Sequence, residues 1–160
     1  MNKSIQLVVF TLDEQRYALH LHVVRRVVRA VEITLLPKAP DIVLGVINMR
    51  GEIIPVVNMR KRFHLPEQEM DLSNQFIVSS TSRRSVALLV DMVGDVIEHP
   101  HQEIITPEKI LPDMEYLEGV LKLEDGLILI HDLDTFLSLK ENDALEHALK
   151  ENKKIEDYEA

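Results

Sequence analysis

The chain aligns with itself. At an offset of 69 residues, 6–28 lie over 75–97 without a gap, QLVVFTLDEQRYALHLHVVRRVV above QFIVSSTSRRSVALLVDMVGDVI. Eleven positions pair apolar with apolar, and six are identical: Gln6/Gln75, Val9/Val78, Ala18/Ala87, Leu19/Leu88, Val24/Val93 and Val27/Val96. Further on the offset becomes 74. Gly45-Val46-Ile47-Asn48-Met49 then matches Gly119-Val120-Leu121-Lys122-Leu123, Asn58-Met59 matches Asp132-Leu133, and Phe63 matches Leu137. The slip of five falls in a connection carrying Pro100, Pro107 and Pro112, and length changes belong in surface connections. A shared apolar register over two blocks divides the chain into two related units, about 5–66 and about 74–138.

Each unit reads as short strands. Residues 6–12 and 17–21 flank the polar turn Asp13-Glu14-Gln15-Arg16, and 75–79 and 85–91 repeat this around Ser80-Thr81-Ser82-Arg83-Arg84. Residues 45–49 and 52–58 form a hairpin turning at Arg50-Gly51, where Gly51 supplies positive φ. Residues 120–123 and 127–131 form its counterpart at Glu124-Asp125-Gly126. Pro55 within a strand predicts an edge or a bulge. Valine, isoleucine and leucine dominate, aromatics are 4% and tryptophan is absent, a composition that favours strands. Several short strands at this spacing, duplicated, predict twin small β-barrels. In His22–Arg29, valines 23, 24, 27 and 28 share one helical face and arginines 25, 26 and 29 the other, which predicts a helix. Helix is also expected over Asp134–Glu141 and over Asp143–Lys154 with Asp143 as N-cap, and the last six residues are expected to fray.

The run Gly45-Val46-Ile47-Asn48-Met49-Arg50-Gly51-Glu52-Ile53-Ile54-Pro55-Val56-Val57-Asn58-Met59-Arg60 resembles the signature hairpin of CheW-type chemotaxis coupling proteins. So do residues 10–29, Leu36-Pro37, Pro40, residues 90–96 and residues 119–137, and the likeness spans about 5–138. The resemblance implies an all-β fold with short helices, two intertwined SH3-like five-stranded barrels plus a C-terminal helix, in a CheW-like domain over residues 1–140 followed by an acidic C-terminal helix or tail over 141–160. It implies a non-catalytic adaptor in cytoplasmic, membrane-associated receptor arrays. Its partners would be the regulatory domain of a CheA-type histidine kinase, which has the same fold, and the cytoplasmic tip of methyl-accepting chemoreceptors. Positions matching Val24, Arg26, Gly45 and Arg50 belong to the family's kinase-docking surface.

The hairpin suits docking on physical grounds. Gly45 and Gly51 permit close backbone approach, Asn48 can brace the turn, and Arg50 presents a planar cation for bidentate carboxylate contacts. Each has a plainer reading: Gly45 relieves crowding, Asn48 holds the turn and Val24 fills core. The sequence departs from the family at Arg26, where an acidic residue is usual, and at Asn58, where aspartate is usual. The Arg26 reversal points to a compensated partner or to an adaptor for a divergent, non-motility kinase pathway.

Net charge is −9, unevenly spread. Residues 1–62 hold ten Lys/Arg and five Asp/Glu (+5), and residues 63–160 hold eight and twenty-two (−14). Such polarity orients encounters between proteins. The overall −9 argues against nucleic acid, as does the shortage of stacking aromatics, although Arg60-Lys61-Arg62 and arginines 25, 26 and 29 are cationic. No apolar run reaches the roughly 20 residues of a membrane span, and Met1–Gln6 lacks a secretory leader pattern. Cysteine is absent, which excludes disulfides and thiolate chemistry. His20-x-His22 could form half a metal site in a small metal-dependent enzyme, and His99-x-His101 repeats the spacing, but surface histidine is the better reading. No Walker loop, dinucleotide fingerprint, HExxH or GxSxG motif is present, and no catalytic residue, metal or cofactor is expected.

Overall fold

The computed structural model describes residues 3–106 and 117–159, with side chains up to residue 152. Pro107 and Pro112 of the long connection lie outside the described residues. The strands are β1 (Ser4–Leu12), β2 (Gln15–His20), β3 (Val24–Arg29), β4 (Val43–Met49), β5 (Glu52–Val57), β6 (Gln75–Ser80), β7 (Ser85–Val90), β8 (Met92–Pro100), β9 (Leu117–Leu123) and β10 (Gly126–His131). Helix α1 spans Met59–Arg62 and helix α2 spans Leu139–Glu159.

The two repeats exchange strands. One five-stranded sheet runs β8-β1-β2-β10-β9 and the other β3-β6-β7-β5-β4. Each sheet therefore takes its first two strands from one repeat and the other three from its partner repeat. The joins are the parallel pairs β10–β2 and β5–β7 and the antiparallel pairs β1–β8 and β3–β6. Neither repeat makes a sheet alone, and the fold is the two SH3-like barrels with a C-terminal helix that the resemblance implies.

Period-two alternation on the shared strands fills three cores. Leu7, Val9, Ala18, Leu121, Ile128 and Ile130 fill one barrel, and Ile47, Ile54, Val56, Phe76, Val78 and Ala87 the other. The opposite faces, Phe10, Leu12, Tyr17, Leu19, Ile77, Val86, Leu88 and Val90, meet between the barrels. Phe136, Leu145 and Ala148 join this central core and seat α2 on it. Strands buried on both faces read as continuous apolar runs, which is why β1 and β6 look alike in sequence.

Residues 22–29 do not form the expected α-helix. Leu21–Val23 forms a single 3-10 turn, and Val24–Arg29 is a strand paired with β6. Valine loses side-chain freedom in a helix, and β6 offers a row of backbone partners that decides the matter. Met92–Pro100, to which the residue pattern assigns no element, is the equivalent strand β8 on β1. Pro55 is not on an edge, because β5 lies inside its sheet, but the β4–β5 ladder does bulge beside it, where the register shifts between Val43 and Gly45 opposite Val57 and Val56. The proline is tolerated because the β5–β7 ladder begins only at Val56.

The helical ends also shift. Asn58 caps α1 by accepting from the Lys61 N–H at 3.1 Å. At the equivalent place Asp132 caps the 3-10 turn Leu133–Thr135 by accepting from the Asp134 N–H. Helix α2 starts at Leu139, not at Asp143: the Glu141 N–H donates to Ser138 Oγ at 3.0 Å and the Ser138 N–H to Glu141 Oε1 at 2.8 Å. This is a capping box. The helix backbone continues through Glu159 where fraying is expected, and Ala160 lies outside the described residues.

Candidate functional site

The β4–β5 hairpin ends in a two-residue turn with both central residues at positive φ, Arg50 at 54° and Gly51 at 90°. This is the turn whose twist matches the flanking strands. The Gly51 N–H donates to Asn48 Oδ1 at 2.8 Å, so Asn48 braces the turn from the preceding strand. Arg50 is exposed at the apex and makes no hydrogen bond or ion pair among the described residues.

A side chain of strand β3 reaches this hairpin next to its turn, at Glu52. Arg25 bulges from β3, where the register slips between Val24 and Arg26. Its guanidinium reaches Glu52 at 3.1 Å and donates to Ser85 Oγ at 2.6 Å. The Arg25 hydrogen bond, and the cationic field of Arg25 and Arg26, hold the Glu52 carboxyl below its ordinary value. Arg25, Glu52 and Ser85 thus tie β3, β5 and β7 together and fix where Arg26 stands. Arg26 is exposed, and Val24 is half-buried against the central core. Ile53, beside the turn, is 43% exposed and adds an apolar contact to the tip. Sequence reasoning overlooked Glu52, Ser85 and Ile53; the usable signal was the opposite charge at positions 25 and 52.

Gly45 stands apart from the tip. It is buried about five residues, or roughly 16 Å, along the strand from Arg50. The backbone it lets close is the chain's own: a Cβ there would collide with the Thr34 carbonyl oxygen and come 2.7 Å from Ile33 Cγ2. Thr34 and Val46 exchange hydrogen bonds of 2.9 and 2.7 Å across that crossing. Gly119 does the same in the second repeat, next to Val120, which pairs with Ile105 at 2.9 Å both ways. The structure therefore gathers Val24, Arg26, Asn48, Arg50 and Gly51 at one end of the barrel and sets Gly45 as a spacer behind them.

The histidines are brought closer than their spacing implies. His20 and His22 rings lie 5.4 Å apart, and His20 Nε2 is 2.8 Å from Glu118. They share a shallow hollow with His131 and Asp132. His131 itself is buried, stacked on Phe63 at 4.4 Å. Among the described residues no group of three or more His, Asp or Glu is arranged to hold a metal ion, and no helix is long and apolar enough to cross a membrane.

A family model described as CheW-like domain matches residues 6–141. The chain is similar to chemotaxis protein CheW of Rhizobium meliloti, 31% identical over 89% of this chain and 94% of that one. It is similar to chemotaxis protein CheW of Bacillus subtilis at 31% identity, over 82% and 86%. A crystal structure of the scaffolding protein TtCheW from Thermoanaerobacter tengcongensis superposes with a TM-score of 0.78 at 32% identity, covering 88% of this chain and 96% of that one.

Proposed function

Because this chain belongs to the CheW-like domain family, we propose that it couples chemoreceptors to a CheA-type histidine kinase through the β3 and β4–β5 face. It is an adaptor of a chemotaxis signalling array, in line with the chemotaxis and scaffolding names of its relatives. We read it as non-catalytic and cytoplasmic, held at membrane arrays through its partners. The observation that carries the docking face is the rigid tip. Asn48 and the positive-φ turn fix Arg50 in the open without engaging its guanidinium. A cation held in place in this way loses little freedom on pairing with a partner carboxylate. Coupling follows only if the kinase and receptor contacts differ in free energy between the kinase's active and inactive states.

The test is calorimetric titration of the chain with a purified CheA regulatory domain. Micromolar binding, about −8 kcal/mol, that drops by tenfold or more in Arg50→Glu supports the reading. No binding to any co-resident kinase or receptor sinks it. Arg26 favours a second reading, an adaptor retuned for a divergent kinase pathway. If so, Arg26→Glu strengthens binding to an ordinary family kinase and weakens binding to the cognate one.

A further inference from the structure

The two repeats build the same bulged edge strand and the same hairpin, but only the first locks one to the other. Arg25 is the extra residue of the β3 bulge, between Val24 and Arg26. Glu52 begins β5 and pairs with Met49 across the turn, and Ser85 begins β7. At the offset of 69, Arg25 answers Gly94 in the β8 bulge and Ser85 answers Arg16. At the offset of 74, Glu52 answers Gly126. Glycines 94 and 126 have no side chain to reach across, and Arg16 turns instead to Asp125, at 2.9 Å. The second repeat thus forms its bulge and its turn without this clamp. The fold does not require the Arg25–Glu52–Ser85 contact, and what the contact adds is confined to the end of the barrel where Arg26 and Arg50 stand.

We infer that Glu52 is a positioning residue for kinase docking, acting through Arg25. The Arg25 guanidinium spans both Glu52 oxygens, at 3.1 and 3.3 Å, and donates to Ser85 Oγ at 2.6 Å. A bulge is where a strand bends and its twist increases. Anchoring the Arg25 side chain therefore sets the direction in which Arg26, the next residue, leaves the strand. The same contact occupies the one carboxylate within two residues of Arg50, so Arg50 stays open to a partner. Both cations are set before a partner arrives, and less freedom is lost on docking. The negative charge of Glu52 by itself works the other way, because it weakens the positive field that Arg26 and Arg50 present to a partner's carboxylates. Positioning and field thus predict opposite signs for its removal. The role rests on the docking reading, since it concerns what the tip presents to the kinase.

Calorimetric titration of the full chain and its variants with a purified CheA-type regulatory domain tests the role. Glu52→Gln is expected to bind about two- to fivefold more weakly, the scale of a partly exposed ion pair, while circular dichroism shows it fully folded at the titration temperature. R25E/E52R keeps the net charge of the face and restores the pair in reverse. Its affinity should exceed the value obtained by multiplying the fold-changes of R25E and E52R. A contact that served stability alone would leave the affinity of the folded protein unchanged and the two fold-changes independent. Glu52→Gln that binds as tightly as wild type, or more tightly, overturns the role, and so do fold-changes that multiply. Arg50→Glu separates the two readings. Where it loses tenfold or more and Glu52→Gln loses nothing, docking stands and the positioning role falls. Where wild type itself does not bind, both fall.

Discussion

Arg60 forks onto Asp91, its Nη2 standing 2.8 and 2.9 Å from the two carboxylate oxygens. Its Nη1 reaches Asp13 at 2.7 Å and the Pro66 carbonyl at 3.1 Å. One guanidinium, 10% exposed, thereby fastens α1 to the β1–β2 turn and to the start of β8. Burial works against its charge, and the hydrogen bonds it donates to Asp91 and Asp13 outweigh it and raise its pKa. Removing one member of a buried pair strands the other, at about 3–5 kcal/mol when both are buried. The carboxylates here are about one-third exposed, so Arg60→Ala is expected to cost about 2–3 kcal/mol in urea unfolding. Arg60→Lys should recover only part of this, because an ammonium cannot fork.

Glu141 carries a pH dependence. Burial alone would raise its pKa, but the Ser138 N–H and the Arg62 guanidinium, at 2.7 Å, hold it below the ordinary 4.5. A depressed carboxylate contributes stability that is full above the unfolded value and lost as pH falls through the folded one. Wild type should therefore exceed Glu141→Gln in stability at pH 7, and the gap should close as pH drops below 4.5. Thermal melts of both proteins across that range check the sign. A gap that widens in acid would contradict it.

Gly45→Ala should be severe, with a loss of about 2–4 kcal/mol from overpacking against backbone that cannot yield. The obstructing atom is the Thr34 carbonyl oxygen, and the residue's φ of +154° adds strain. Gly119→Ala should cost less, because its hardest contact is the Ile104 side chain. Paired denaturation curves measure the order, and equal losses would show that the crossing gives way in both repeats.

Asn48→Ala removes the acceptor of the Gly51 N–H. The turn is solvent-exposed, so stability should fall by only about 0.5–1.5 kcal/mol. Kinase affinity should fall by more than this stability loss implies, since Arg50 would no longer be held in place before docking. Unfolding and calorimetry on the same variant separate the two effects.

Much of the site was legible because it is local. The Arg50-Gly51 turn, the brace from Asn48 and the exposure of Arg50 all follow from residues within one hairpin. Arg26 was found by position, yet it was placed on a helix. The four-residue spacing of its flanking valines fits a helical face as well as a bulged edge strand. Only β6, some fifty residues away, distinguishes them. Gly45 was read as a place where another backbone comes close, and the backbone turns out to be Thr34 of the same chain.

The sequence by itself determined the repeat, the alternation that makes strands, and the turn chemistry, because these depend on periodicity and on near neighbours. The tertiary structure alone decided which repeat supplies which strand. The pairs β10–β2 and β5–β7 join residues more than thirty positions apart, and an apolar strand buried on both faces carries no mark of its partner.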